Sequence, residues 1–258
     1  MSTEPAPLLS IKALSAEIGG RGVLRDVSFD VARSEWLAIV GGSGAGKSTL
    51  LRAMMGLRRP ARPTDGEMQF DDAKWRFTDR KLPRPNAMSF VPQSPAHGFD
   101  PLRRLTWQMS QLAQCTNGAS SDRAALLSSL GLPDPGTRFP HQWSRGMQQR
   151  LLVAMALMGN PSLLILDEPT SALDPIIAAQ MLQEVRRIAA ARGFAVIMVT
   201  HDLALAARYA QKIVIMDRGR IVEAGDGAAV LSNPQTDYAQ DLVAHRHWHT
   251  TSPGGAHA

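Results

Sequence analysis

Gly41-Gly42-Ser43-Gly44-Ala45-Gly46-Lys47-Ser48 decides how this chain is read. The stretch fits G-x-x-x-x-G-K-[ST], and its flanks give the pattern physical meaning. Trp36 to Val40 before it is an unbroken apolar run, which predicts a buried strand; Ser48 to about Leu57 after it predicts a helix. A strand feeding a glycine-rich loop feeding a helix aims a row of backbone N–H groups and a helix N-terminus at one point. Phosphate is the ligand such a point attracts. The glycines let the backbone curl close to it, Lys47 reaches toward the β- and γ-phosphates, and the Ser48 hydroxyl can hold Mg²⁺. Gly41, Gly42, Ser43, Gly44, Ala45, Gly46, Lys47, Ser48 and Thr49 are therefore the expected nucleotide-binding set.

Other predicted strand ends carry matching chemistry. Leu163-Leu164-Ile165-Leu166 is a continuous aliphatic strand that delivers Asp167 and Glu168 at its carboxyl end, where ligands bind in sheets of this kind. Asp167 is suited to the Mg²⁺ shell, and Glu168 to polarising an attacking water as general base. His201 leaves the next predicted strand, Ala195 to Val199, and can orient that water near the γ-phosphate. Gln93 follows the strand Ala87 to Val91 and can sense Mg²⁺ or the water.

The bulk numbers narrow the class. At 258 residues, 44% hydrophobic and 20% charged, the chain suits a soluble globular protein with one large domain or a domain plus a subdomain. No apolar run approaches the roughly 18 residues of a membrane span. Met1 to Pro5 lacks the basic and apolar regions of a signal peptide, and the single cysteine, Cys115, excludes an internal disulfide and suggests a reducing compartment. The expected location is cytoplasmic. The net charge of +5 favours anionic partners, but the arginine pairs 58–59, 103–104 and 186–187 are scattered among acids. Without RNA-binding aromatics or zinc-ligand spacing, nucleic acid is not an expected partner.

Along the chain, Leu8 to Leu14 and Val23 to Val31 alternate loosely, as edge strands do, around a Gly19–Gly22 turn. Arg58 to Pro85, rich in Pro, Arg, Lys and Asp, reads as a variable surface excursion. Trp107–Gln114, Arg123–Leu130 and Met147–Met158 have helical period, with Gly131 and Pro133 as stops. Asp174 and Pro175 open a helix as N-cap and first residue; Gly193 closes it; Ile177, Met181, Val185 and Ile188 mark its buried stripe. Ile213–Met216 is a further strand. Strands alternating with helices imply an α/β fold: a mostly parallel sheet covered on both faces, with an antiparallel β edge and an inserted helical subdomain. The expected extents are a core of 8–98 and 161–232, a helical subdomain near 99–160, and an extension and frayed tail over 233–258.

With these residues in place the chain resembles the nucleotide-binding subunits of ATP-binding cassette (ABC) transporters from about residue 8 to 245. The motifs appear in the family's order: the phosphate loop, Val91-Pro92-Gln93 as Q-loop, His141 to Arg150 as signature region, the acidic strand, Pro169 to Asp174 as D-loop, and His201 as switch histidine. Within that family it most resembles the peptide/nickel importer ATPases. Met147 after the signature glycine, Gln149-Arg150, the tract from Gln93 to Leu102, and Asn233-Pro234-Gln235-Thr236-Asp237-Tyr238 carry this likeness. Lacking further cysteines, the chain cannot hold the iron–sulfur cluster of some longer members.

The resemblance implies bound ATP and Mg²⁺, the latter held by Ser48, Gln93 and Asp167, with Lys47, Glu168 and His201 performing hydrolysis. It implies a head-to-tail ATPase pair in which Ser144, Gly146, Met147 and Asp174 act across the interface. Two membrane permease subunits, a solute-binding protein and a place on the cytoplasmic face of the inner membrane complete the expectation. Arg145 replaces a signature glycine, which favours pairing with a second, related ATPase. The aromatic that usually stacks on adenine is missing, with Ile18 or Val23 near its place. The histidines of His245-Arg246-His247-Trp248-His249 suit a solvated helix end and tail. The alternative is a non-transport ABC ATPase, such as the assembly subunits associated with carbon–phosphorus lyase.

Overall fold

A computed structural model describes residues 6–79, 87–116 and 123–245. In chain order its strands are β1 (Leu9–Ile18), β2 (Arg21–Val31), β3 (Trp36–Val40), β4 (Arg62–Phe70), β5 (Ala73–Arg76), β6 (Met88–Val91), β7 (Leu163–Asp167), β8 (Ala195–Thr200), β9 (Lys212–Asp217) and β10 (Arg220–Asp226). The helices are α1 (Lys47–Met54), α2 (Leu105–Thr116), α3 (Arg123–Ser129), α4 (Arg145–Met158), α5 (Pro175–Arg192), α6 (Leu203–Tyr209), α7 (Gly227–Ser232) and α8 (Asp237–His245).

The larger sheet runs β10-β9-β3-β8-β7-β6, parallel throughout except for the antiparallel edge strand β10. Every residue of β3, β7 and β8 is buried, as expected of strands covered on both faces. Side chains alternate between the two faces. Leu37 and Ile39 face a core shared with β1, β2, β4 and α1, while Trp36 packs with α4 and α5 and Val40 with α6 and α8. Asp174 caps α5 by accepting from the amides of Ile176 and Ile177, and Gly193 ends it with a left-handed φ of 73°.

The second sheet, β2-β1-β4-β5, is antiparallel and corrects two expectations. Arg58 to Pro85 is not merely a surface excursion, because β4 and β5 lie inside it. Composition concealed them, yet Met68, Phe70, Trp75 and Phe77 alternate and are all buried. Nor are both N-terminal strands edges: β1 lies inside the sheet, between β2 and β4. The phosphate-loop helix ends at Met54, short of Leu57, where Gly56 turns the chain. Helices α6 and α7 and strand β10 go beyond the elements expected from the sequence, and of α8 only the end near His245 was expected. α6 carried a readable signal in Asp202, which accepts from the amides of Ala204 and Leu205 as N-cap.

Register aligns the strand ends that matter. Val40 pairs with Thr200, Asp167 with Val199, and Val91 with Leu166. Gly41, His201, Glu168 and Gln93 therefore leave the sheet along one edge, where parallel α/β sheets bind ligands.

Candidate functional site

The phosphate loop begins where β3 stops and ends at Gly46, which caps α1 with φ 101°, a conformation that side-chain-bearing residues rarely adopt. No side chain caps α1, so its first amides remain available to an anion. Lys47 is buried at 7% exposure, and its Nζ donates to the carbonyls of Gly41 at 2.7 Å and Gly42 at 3.0 Å. Burial lowers the Lys47 pKa, while the charges of Glu168 and Asp167 act against that shift. The loop is fastened from outside. Gly219, in the β9–β10 turn with φ 78°, donates its N–H to Ala45 O at 2.9 Å, and its own carbonyl accepts from Arg25 N–H at 2.8 Å. Tyr238 Oη accepts from Gly42 N–H at 2.9 Å.

Glu168 sits between Gln93 and His201. Gln93 Nε2 donates to its Oε2 at 2.8 Å, and His201 Nδ1 lies 3.3 Å from its Oε1. Two side chains that follow neighbouring strands thus meet at the carboxylate that follows a third. The Glu168 backbone has φ 42°, a strained value for a residue with a side chain and one that concentrates at functional sites. Asp167 beside it is 7% exposed. Burial, reinforced by the charge of Glu168, pushes its pKa up to about 6 against the opposing pull of Lys47 and Arg52.

A cleft of about 850 Å³ joins these groups. Ser43 to Thr49 line it, with Gln93, Glu168 and His201. Gly41 and Gly42 stand behind, as acceptors for Lys47. Of the two candidates for the adenine position, Val23 lines the cleft and Ile18 does not. Arg25 and Arg218 also line it and were missed, since each is one exposed arginine among many until the fold places it. Ser144, Gly146, Met147 and Asp174 are not among the lining residues. Ser144 caps α4 by accepting from Met147 N–H at 3.2 Å. Arg145 is the first residue of that helix and is absent from the left-handed residues, so the arginine replaces a glycine without backbone strain. Gly146 packs on the D-loop, where an added Cβ would meet Leu173 Cδ2 at 3.1 Å. Gln149 Nε2, fully buried, donates to the Q-loop carbonyl of Pro92 at 3.3 Å.

The donors suit Mg²⁺. Asp167 Oδ1 is buried with no hydrogen-bond partner among the described residues, an arrangement that a cation relieves. Ser48 lines the adjoining cleft. No group of three or more His, Cys, Asp and Glu able to hold a metal occurs among the described residues. The side chains of the terminal histidine cluster lie outside the described residues.

Comparison with known proteins agrees with this geometry. A family model described as ABC transporter matches residues 24–171. The dipeptide transport ATP-binding protein DppD of Bacillus subtilis is 36% identical over 85% of this chain and 70% of its own length. DppD of Escherichia coli is 35% identical over 92% and 77%. The oligopeptide transport ATP-binding protein OppD of Lactococcus lactis is 34% identical over 84% and 68%. Among solved structures, an ATP-binding subunit of an ABC transporter superposes with a TM-score of 0.78 at 27% identity, covering 93% of this chain and 99% of that one. A dimeric ATP-binding cassette in a post-hydrolysis state, bound to ADP and Pi, gives a TM-score of 0.72 at 28% identity over 84% and 98%. With its phosphate loop and its glutamate meeting in one cleft, and with relatives of this kind, the chain belongs to the ABC transporter family as one of its ATP-hydrolysing subunits.

Proposed function

We propose that this subunit drives import of a dipeptide, oligopeptide, nickel or related metal-chelate solute, working on the cytoplasmic face of the inner membrane beneath two permease subunits fed by a solute-binding protein. The names of the relatives support a peptide solute most directly. The site works as half of a head-to-tail pair, with a second, related ATPase as partner. One observation carries this reading: Glu168, Gln93 and His201 meet at the phosphate loop, while Ser144 and Gly146 of the same chain are not in that cleft. Those signature groups are then available to a nucleotide on the partner.

The residues perform the hydrolysis as follows. Lys47 leaves the Gly41 and Gly42 carbonyls and turns its ammonium to the β- and γ-phosphates, while the amides at the start of α1 hold the phosphate oxygens. Asp167 and Ser48, with Gln93 nearby, would hold a Mg²⁺ ion, which would supply positive charge to the phosphate oxygens. Glu168 takes the proton of the attacking water as the new P–O bond forms and the bond to the ADP oxygen breaks. His201 and Gln93 hold that carboxylate from either side.

The test is uptake by cells lacking the gene. Labelled dipeptide or Ni²⁺ uptake should fall and return with the wild-type gene but not with Lys47→Ala. Normal uptake of peptides and nickel in the deletion strain would refute the transport reading.

A further inference from the structure

We propose that Tyr238 is a positioning residue for the phosphate loop, its hydroxyl holding the Gly41–Gly42 peptide in the orientation that nucleotide binding needs. The inference rests on the reading of this loop as the phosphate site. Both ends of that one peptide unit are held. Its carbonyl accepts from Lys47 Nζ at 2.7 Å, and its N–H donates to Tyr238 Oη at 2.9 Å. The unit lies between two glycines, so side-chain sterics do little to restrain its rotation. Lys47 is also the cation for the nucleotide. Once its ammonium turns to phosphate, the Gly41 carbonyl loses that donor, and the Tyr238 hydroxyl is the side-chain contact left on the peptide.

The hydroxyl is aimed by a braced segment 196 residues away in sequence. Glu223 on β10 accepts from the amides of Gln235 and Thr236 and from the Thr236 hydroxyl, each at 3.0 Å. The Thr236 hydroxyl in turn accepts from Ala239 N–H at 3.3 Å, at the start of α8. Ala239, fully buried, and Leu242 seat α8 in the core that contains Val40, the last residue before the loop. The fit at the loop is close: a Cβ on Gly42 would lie 3.1 Å from Tyr238 Oη. Phenylalanine would keep the ring and its packing while leaving the Gly42 amide without this acceptor.

The experiment compares full-length wild type, Tyr238→Phe and Leu242→Ala for ATP and ADP binding by calorimetry in EDTA, alongside amide exchange at Gly42 by NMR. Tyr238→Phe should bind about three- to tenfold more weakly, as expected for loss of one hydrogen bond, with faster exchange at Gly42. Leu242→Ala loosens the seat of α8 that aims the hydroxyl but keeps the hydroxyl itself, so at a temperature where it is folded it should weaken binding by no more than Tyr238→Phe does. Tyr238→Phe binding like wild type, or Leu242→Ala losing clearly more affinity than Tyr238→Phe, would overturn the inference while leaving the phosphate site intact. A wild-type chain that binds no nucleotide would overturn the phosphate-site reading and this inference with it.

Discussion

Asp167→Asn should make the metal-free protein more stable while removing its response to Mg²⁺. The wild-type carboxyl is pushed from 3.8 to about 6 by burial and by Glu168. Its folded pKa lies above its unfolded value, so between those two pH values the folded chain keeps a proton that the unfolded chain has released. Stability therefore falls as pH rises through this window, and the full penalty is present above about pH 6. A shift of about 2 units corresponds to about 3 kcal/mol. The amide has its own desolvation cost in the same place, so a net gain of about 1–2 kcal/mol is expected at pH 7.5. For a chain of this size that is a rise in Tm of about 2–8 °C. Thermal melts of wild type and Asp167→Asn in EDTA, without nucleotide and from pH 7.5 down to pH 4, provide the assay. The gap should narrow steadily as the wild-type carboxyl becomes protonated in both states. Adding Mg²⁺ to ATP should raise the wild-type Tm further than ATP alone, and should not do so for the variant. Equal melting temperatures at pH 7.5, or a gap independent of pH, would refute the assignment of Asp167 as a buried carboxylate held ready for a cation.

Lys47→Ala should lower ATP turnover in the assembled complex by at least about 100-fold, because the cation on the transferring phosphate is gone; turnover near wild type would contradict the proposed chemistry. Glu168→Gln should bind ATP but stall, so that gel filtration with Mg-ATP shows an accumulated dimer, and a variant hydrolysing at the wild-type rate would remove Glu168 from its role. Arg145→Gly should raise turnover at the partner's ATP site, since Ser144 and Gly146 already provide the donors; a drop of about tenfold, roughly one charge-assisted hydrogen bond, would instead assign the guanidinium to the phosphate. Gly219→Ala should destabilise the fold by about 2–4 kcal/mol in denaturant titration, because its Cβ would stand 2.2 Å from Val23 O on a left-handed backbone, and an unchanged midpoint would refute that.

Much of this protein was legible in the chain alone because its chemistry is local. The phosphate loop needs glycines, a lysine and a hydroxyl in consecutive positions between a strand and a helix, and Gly41 to Ser48 supply them in that order. Strands β3, β7 and β8 are buried on both faces, so they read as apolar runs, Trp36 to Val40, Leu163 to Leu166 and Ala195 to Val199, that lead into Gly41, Asp167-Glu168 and Thr200-His201. Other features depend on contacts between distant segments. Strands β4 and β5 hide within a charged, proline-bearing stretch, and what makes them strands is pairing with β1 and burial of Met68 and Trp75 against it. The convergence of Gln93 and His201 on Glu168 follows from the register of β6, β7 and β8, which no local pattern specifies. Arg25 and Arg218 reach the nucleotide cleft only because the β9–β10 turn is fastened to both β2 and the phosphate loop. Tyr238 meets Gly42 only because α8 folds back onto the core beside Val40. Sequence determines which residues can do the chemistry, since that depends on residue type and short spacing. Tertiary structure decides which of them meet, since hydrogen bonds act over about 3 Å and depend on where each segment is carried.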